Sequence, residues 1–161
     1  MNFDNLIPYH LNFFFGRANT AIWMLAKYIK KTYKNPTIIL PSSMCVSPAN
    51  IFFYEKINLK FIDVKKNTGI IDLKKVIEFT EKRKNCCLFY VNLFGNLSDD
   101  GESIKTIKKN NVLIIQDIAQ TFFLPDKKKN FNFFFGDICI TSFGYSKIFD
   151  YAHGSYIFFD S

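Results

Sequence analysis

Val112-Leu113-Ile114-Ile115-Gln116-Asp117-Ile118-Ala119-Gln120 begins with four apolar residues and passes at once into polar ones. The apolar run does not alternate, and Asn110-Asn111 precedes it. A short unbroken apolar run between turn residues fits a strand buried on both faces. Cys86–Val91 repeats the pattern and ends at Asn92. Asp137–Ser142 and Ser155–Phe159 read as two further strands, Thr37–Leu40 as a short β-branched one, and Lys60–Val64 as an alternating one.

Helix-like segments lie between these strands. From Thr20 to about Lys34, the apolar residues Ile22, Leu25, Ala26 and Ile29 recur at helical spacing, and Asn35-Pro36 stops the segment. Ser47 is the expected cap of a second helix, with Pro48 in its first turn and a body through Asn50–Glu55. Asp72 is placed to cap Leu73–Glu81, with Val76, Ile77 and Thr80 facing inward. Asp99 or Asp100 opens a fourth helix, which holds Ile104 and Ile107 and ends at Asn110-Asn111. Strands alternating with helices predict an α/β fold: a mostly parallel sheet with helices on both faces. Ligands of such sheets bind beyond the carboxyl ends of the strands. The segments that follow the strands, Pro41–Cys45, Asn92–Asn96, Gln116–Gln120 and Thr141–Lys147, are therefore where chemistry is sought.

The composition bounds what this fold serves. The 161 residues suit one domain, and 48% hydrophobic with 22% charged residues excludes a largely disordered chain. No apolar run is long enough to span a bilayer; Phe13–Phe15 and Phe131–Phe135 are far too short. With Asp4 and no basic residue before Arg17, the N-terminus does not read as a signal peptide, which points to the cytoplasm. The net charge of +7 invites a nucleic-acid reading. Arg17 and Arg83 are the only arginines, however, and the lysines fall in helix-like surface stretches such as Lys27–Lys34 and Lys105–Lys109. A solvated face in a lysine-biased chain explains that charge better, so neither nucleic acid nor membrane is expected as a partner. Cys45, Cys86, Cys87 and Cys139 form no C-x-x-C pair, and neither His10 nor His153 stands at finger spacing, so no metal site is expected. Cys86, Cys87 and Cys139 read as small buried hydrophobes.

Two residues carry potential chemistry. Asp117 ends a buried strand, where a carboxylate is costly unless something cationic pairs with it. It is either a turn or helix-cap residue or the charge partner of a buried cationic ligand. Lys147 follows the Asp137–Ser142 strand and is flanked by Tyr145, Ile148 and Phe149. It is either one exposed lysine among many or, in apolar surroundings that favour the free amine, a nucleophile or base.

Five blocks in one order carry a resemblance: FGRANTAI (Phe15–Ile22), LPSSMCVSPAN (Leu40–Asn50), VNLFGNLSD (Val91–Asp99), IIQDIAQ (Ile114–Gln120) and GDICITSFGYSKIFDYAHG (Gly136–Gly154). Together they resemble the N-terminal part of the DegT/DnrJ/EryC1/StrS aminotransferases. Those enzymes use pyridoxal 5'-phosphate (PLP) and mostly act on nucleotide-linked keto-sugars. The resemblance covers nearly the whole chain. It rests chiefly on the D-x-A-Q block followed by S-F-x-x-S-K.

The resemblance implies a fold type I PLP-dependent transferase large domain over residues 1–161. It also implies a role for each matching residue. Lys147 is the catalytic residue, which bonds the cofactor aldehyde and later moves a proton between cofactor and substrate carbons. Asp117 pairs with the protonated pyridine nitrogen and keeps the ring an electron sink. Gln120 hydrogen-bonds on the side of the ring's phenolic oxygen. Ser142 donates to the phosphate, which the backbone of Gly16, Arg17 and Ala18 also holds at a helix N-terminus. Cys45 stands where many members stack an aromatic side chain on the ring. Ile148 replaces a frequent Asn, and a usual Gly-rich stretch is reduced to Ala152-His153-Gly154. His153 is either a substrate contact or a loop residue without a role.

Family members are considerably longer. They continue into a small C-terminal domain, expected to be absent here, and usually work as dimers. The first reading is an aminotransferase that takes an amino-acid donor, glutamate, and a nucleotide-sugar substrate for surface polysaccharide or glycan synthesis. Dehydratases of the same family commonly replace the lysine, and Lys147 is present. The second reading is a truncated or split relative without catalysis, acting as a subunit. It would pair as a homodimer or with a partner chain that supplies the missing half, and Phe131–Phe135 is a candidate sticky segment.

Overall fold

The computed structural model describes residues 11–95, 100–121, 134–148 and 150–159. Seven strands form one sheet: β1 (Leu11–Phe15), β2 (Thr37–Pro41), β3 (Asn58–Ile62), β4 (Cys86–Val91), β5 (Leu113–Asp117), β6 (Ile138–Ile140) and β7 (Ser155–Phe159). Their order across the sheet is β1-β7-β6-β5-β4-β2-β3. The pairs from β6 to β3 are parallel, whereas β7 runs antiparallel to both β6 and β1. Four α-helices lie against the sheet: α1 (Ala18–Thr32), α2 (Val46–Tyr54), α3 (Leu73–Thr80) and α4 (Gly101–Lys109).

Strand side chains alternate between faces, so the apolar runs supply two cores. Ile38, Leu40, Cys87, Phe89, Ile115 and Ile138 pack with Ile22, Leu25, Ile29 and Phe52 of α1 and α2. The intervening Ile39, Leu88, Tyr90 and Ile114 pack with Leu73, Val76, Ile104 and Ile107 of α3 and α4. Helices thus cover both faces, as the unbroken apolar strands predict. Cys86 and Cys87 are buried in these cores, and Cys139 in a smaller cluster with Ile118 and Phe158; burial pushes the Cys87 thiol up to about 12.

Local chemistry sets the helix ends. Asp72 Oδ1 accepts from Lys74 N at 3.1 Å and Asp100 Oδ1 from Ser103 N at 3.1 Å, so both act as caps. Asp99, the other expected cap, lies outside the described residues, as do Phe149 and most of Phe131–Phe135. Three expectations need correction. The second helix begins at Val46, and the residue at its N-cap is Cys45 rather than Ser47. The strand expected at Lys60–Val64 is Asn58–Ile62, because Val64 instead bridges Ile71 in a separate turn. β1 was not expected at all. It is an edge strand with Leu11, Phe13 and Phe14 exposed, so it shows no alternation.

Candidate active site

The strand directions collect the candidate residues at one edge. β1, β2, β4, β5 and β6 all end there, and β7 starts there. Asp117 ends β5, level with Val91 of β4 and Ile140 of β6. Ser142 and Lys147 follow β6. Gly16, Arg17 and Ala18 link β1 to α1, and Cys45 lies beyond β2. β4 separates β2 from β5, so the exposed Cys45 stands two strands from Asp117. All eight candidates share this edge.

Asp117 is held firmly. Its Oδ1 accepts from Ala119 N at 2.8 Å, its backbone oxygen accepts from Asn92 N at 2.9 Å, and the next residue, Ile118, donates its N–H to Ile140 O at 2.9 Å. Asp117 keeps some surface at the sheet edge, yet protein atoms crowd it closely. Loss of hydration therefore raises its carboxyl pKa, while the Ala119 hydrogen bond and the nearby Lys147 ammonium pull it back in part. The electrostatic link ties Asp117 to Lys147 across two different loops. The bond to Ala119 N fits the turn reading of Asp117; the reading as partner of a cationic ligand is a proposal.

Gln120 lies three residues beyond Asp117. Its Oε1 is buried with no hydrogen-bond partner among the described residues. A buried amide oxygen left alone costs about 1–3 kcal/mol, so Gln120 is a candidate for a further polar contact. At the other side of the edge, α1 starts with Arg17 at its N-cap, in extended conformation and without a side-chain cap. Its first N–H groups carry the positive end of the helix dipole and suit an anion. Ser142 Oγ accepts a long bond from Gly144 N at 3.4 Å.

The loop from Gly144 to Gly154 is built on positive φ angles: Ser146 at 64°, Ala152 at 64° and Gly154 at 117°. Left-handed Ser and Ala are unusual and cluster at functional sites. Lys147 is half-buried, and its N–H donates to Gly144 O at 3.2 Å. Asp150 accepts from Ser146 N at 3.2 Å and from Ala152 N at 2.9 Å. Sequence reading missed Asp150, because aspartate is common in loops and nothing local distinguishes this one. It also missed the buried bridge behind Asp117, in which Gln116 Nε2 donates to Asn92 Oδ1 at 2.9 Å. Burial at the end of an apolar strand was the available signal for Gln116. His153 is exposed in the same loop.

The strand order and the helices on both faces define a three-layer α/β domain with Asp117 and Lys147 beyond its strand ends. The sequence model of the DegT/DnrJ/EryC1/StrS aminotransferase family matches residues 17–161, and the chain belongs to that family. No curated protein sequence matches it. Among solved structures, it is similar to E. coli GDP-4-keto-6-deoxy-D-mannose-3-dehydratase with bound hydrated PLP, at 21% identity and a TM-score of 0.81, covering 99% of this chain and 42% of that one. Helicobacter pylori PseC, an aminotransferase involved in the biosynthesis of pseudoaminic acid, aligns at 19% identity and a TM-score of 0.81, over 98% of this chain and 42% of that one. GDP-4-keto-6-deoxymannose-3-dehydratase with a trapped PLP-glutamate geminal diamine aligns at 22% identity and a TM-score of 0.82, over 99% and 42%. At these identities the likeness establishes the fold alone: that of fold type I transferases. The chain spans about 42% of the length of these neighbours.

Proposed function

We propose that residues 1–161 are the cofactor-holding large domain of a PLP-dependent aminotransferase. Its substrate is a nucleotide-linked keto-sugar and its amino donor is glutamate, in the cytoplasmic synthesis of a surface polysaccharide or glycan. The carrying observation is Asp117, a carboxylate crowded by protein and electrostatically coupled to Lys147 at the sheet edge. A buried carboxylate of this kind gains most from a cationic ring nitrogen. The other candidates fit the same ligand. Gln120 offers an unpartnered buried amide oxygen, and its side chain suits the polar edge of a ring. Ser142 and the uncapped N–H groups at Gly16, Arg17 and Ala18 suit a phosphate. Cys45, with its small polarizable sulfur, suits the face of a ring.

When bound, PLP supplies an electron sink that lets an amino group leave one carbon and be delivered to another. The chain's own residues do the rest. Asp117 would hold the cofactor's ring nitrogen and favour its protonated form. Lys147 would be the residue that holds the cofactor's aldehyde end, and its amine would hold and return a proton as the base. The neighbours include dehydratases as well as an aminotransferase. The presence of Lys147 supports amino transfer.

A second reading, a relative that functions only as a subunit, draws support from the same edge. Phe94, Tyr145, Ile148 and Tyr151 are all strongly exposed around it. Apolar side chains gathered at a site mouth favour a covering partner, either a second copy or a chain supplying the remaining half.

The test begins with PLP added to the purified chain. A visible absorbance band and a borohydride-fixed adduct mapped to Lys147 are expected. An absent band, or one unchanged in Lys147→Ala, would sink cofactor binding. Amine transfer from glutamate to a nucleotide keto-sugar is measured separately. An adduct without transfer would favour the subunit reading.

A further inference from the structure

We propose that Asp150 is a positioning residue that fixes the backbone on both sides of Lys147 and thereby directs its amine to the sheet edge. The inference rests on the PLP reading above and extends it to a residue outside the S-F-x-x-S-K block. Ser146, directly before Lys147, has φ 64°, and Ala152 has the same value. Such residues are strained and persist only where their surroundings over-determine them. One carboxylate does so for both. Asp150 Oδ2 accepts from Ser146 N at 3.2 Å, and Oδ1 accepts from Ala152 N at 2.9 Å. Charge-assisted bonds to an ionised carboxylate are stronger than neutral ones. Lys147 N is held independently on Gly144 O at 3.2 Å. The main chain entering Lys147 is therefore tied at consecutive amides to two different acceptors. Further on, Gly154 anchors the loop through its N–H to Gly16 O at 2.8 Å and through its own oxygen, which accepts from Phe143 N at 2.8 Å. Asp150 supplies the cross-brace between that anchored end and the lysine. The loop is exposed at Ser146 and Asp150, so the brace governs local order and leaves global stability nearly unchanged.

The attachment that reports on it is redox-neutral; the trapping that follows is a reduction with borohydride as the reductant. Lys147 Nζ bonds the aldehyde carbon of PLP, and the aldehyde oxygen leaves as water. Borohydride then adds hydride to that carbon and makes the bond permanent.

The experiment compares the wild-type chain with Asp150→Ala in two measurements. The first is amide hydrogen exchange at Ser146 and Ala152 in the absence of cofactor. Faster exchange in Asp150→Ala is expected, and unchanged exchange at both amides would overturn the brace whether or not PLP binds. The second is the rate of borohydride-trapped attachment at Lys147, beside the affinity for pyridoxine 5'-phosphate, which has the ring and phosphate but no aldehyde. Attachment is expected to slow roughly tenfold while affinity for the alcohol holds. Equal loss of both would show a collapsed site and overturn a positioning role, as would an unchanged attachment rate. Ser146→Gly added to Asp150→Ala is expected to recover part of the rate, because glycine adopts positive φ without a brace. No attachment at Lys147 in the wild type would refute the PLP reading and, with it, the positioning of Lys147 for PLP, while the exchange measurement still decides whether the brace exists.

Discussion

Gly154 donates its backbone N–H to Gly16 O at 2.8 Å, joining the loop that carries Lys147 to the turn that opens α1. The two residues lie at opposite ends of the described chain, yet they meet because β1 and β7 pair antiparallel at the sheet edge. The contact places the lysine loop beside the uncapped helix N-terminus and so joins two halves of the candidate site.

Gly154 is expected to tolerate no side chain. Its φ is 117°, and an added Cβ would lie 3.3 Å from Phe14 Cε2 and 3.4 Å from Phe143 Cδ2. Gly154→Ala should cost about 1–3 kcal/mol, from backbone strain together with crowding of two rings. Urea denaturation measures the loss, with Gly101→Ala as a control, because a Cβ at Gly101 meets nothing within 4 Å.

Asp117 should make stability depend on pH in a direction opposite to that of an ordinary paired carboxylate. Its folded pKa is raised by burial, so the folded chain binds the proton more tightly than the unfolded chain. Its contribution is fully present below the unfolded carboxyl pKa of about 3.9 and is lost as pH rises through the raised folded value. Asp117→Asn removes the ionisation and keeps an oxygen for Ala119 N. The variant should gain on the wild type from acid toward neutral pH in denaturation midpoints taken without cofactor. Curves that stay parallel would contradict the assigned burial effect.

The sequence revealed the layers more fully than the contacts. Unbroken runs such as Ile38–Leu40 and Cys86–Tyr90 declare burial on both faces; Asp72 declares its helix start, and for α4 the sequence left Asp99 or Asp100, of which the structure shows Asp100 as the cap. β1 was illegible because Leu11, Phe13 and Phe14 face solvent and its partner β7 is far along the chain. The candidate site residues were named from blocks resembling one family; strand-end geometry alone pointed only to the segments after β2, β4, β5 and β6, and missed the one after β1. The braces were hidden: Asp150, Asn92 and Gln116 act through bonds to distant or loop backbone that residue type alone does not specify.

Asp137 secures the start of β6. Its Oδ2 accepts from Ile114 N at 2.7 Å, and its Oδ1 pairs with Lys108 Nζ at 3.0 Å. Asp137→Ala strips the acceptor from the Ile114 amide beside the buried strand and should cost about 1–3 kcal/mol. Lys108→Ala removes only a partly exposed ion pair and should cost less than about 1 kcal/mol. Thermal or urea melts of the two variants should therefore differ clearly; equal losses would show that the ion pair, and not the backbone bond, matters.

Gln116 is the most consequential buried polar residue behind the site. It is fully buried, its Nε2 donates to Asn92 Oδ1 at 2.9 Å, and its Oε1 accepts from both Phe135 N and Gly136 N at 3.1 Å. Gly136 can approach so closely only because it lacks a side chain; an added Cβ would meet Gln116 Cβ at 2.7 Å. Asn92 in turn donates its N–H to Asp117 O at 2.9 Å, so the bridge braces the strand end that presents the carboxylate. Gln116→Leu keeps much of the volume but removes the hydrogen bonds from Gln116 to Asn92 Oδ1, Phe135 N and Gly136 N, at about 1–3 kcal/mol for any buried group thereby unsatisfied. A total near 3 kcal/mol is expected after local relaxation, against nearly none for the exposed Lys105→Ala, which loses only its surface pair with Glu102. A Gln116→Leu melt indistinguishable from that of Lys105→Ala would show that the bridge does not stabilise the fold.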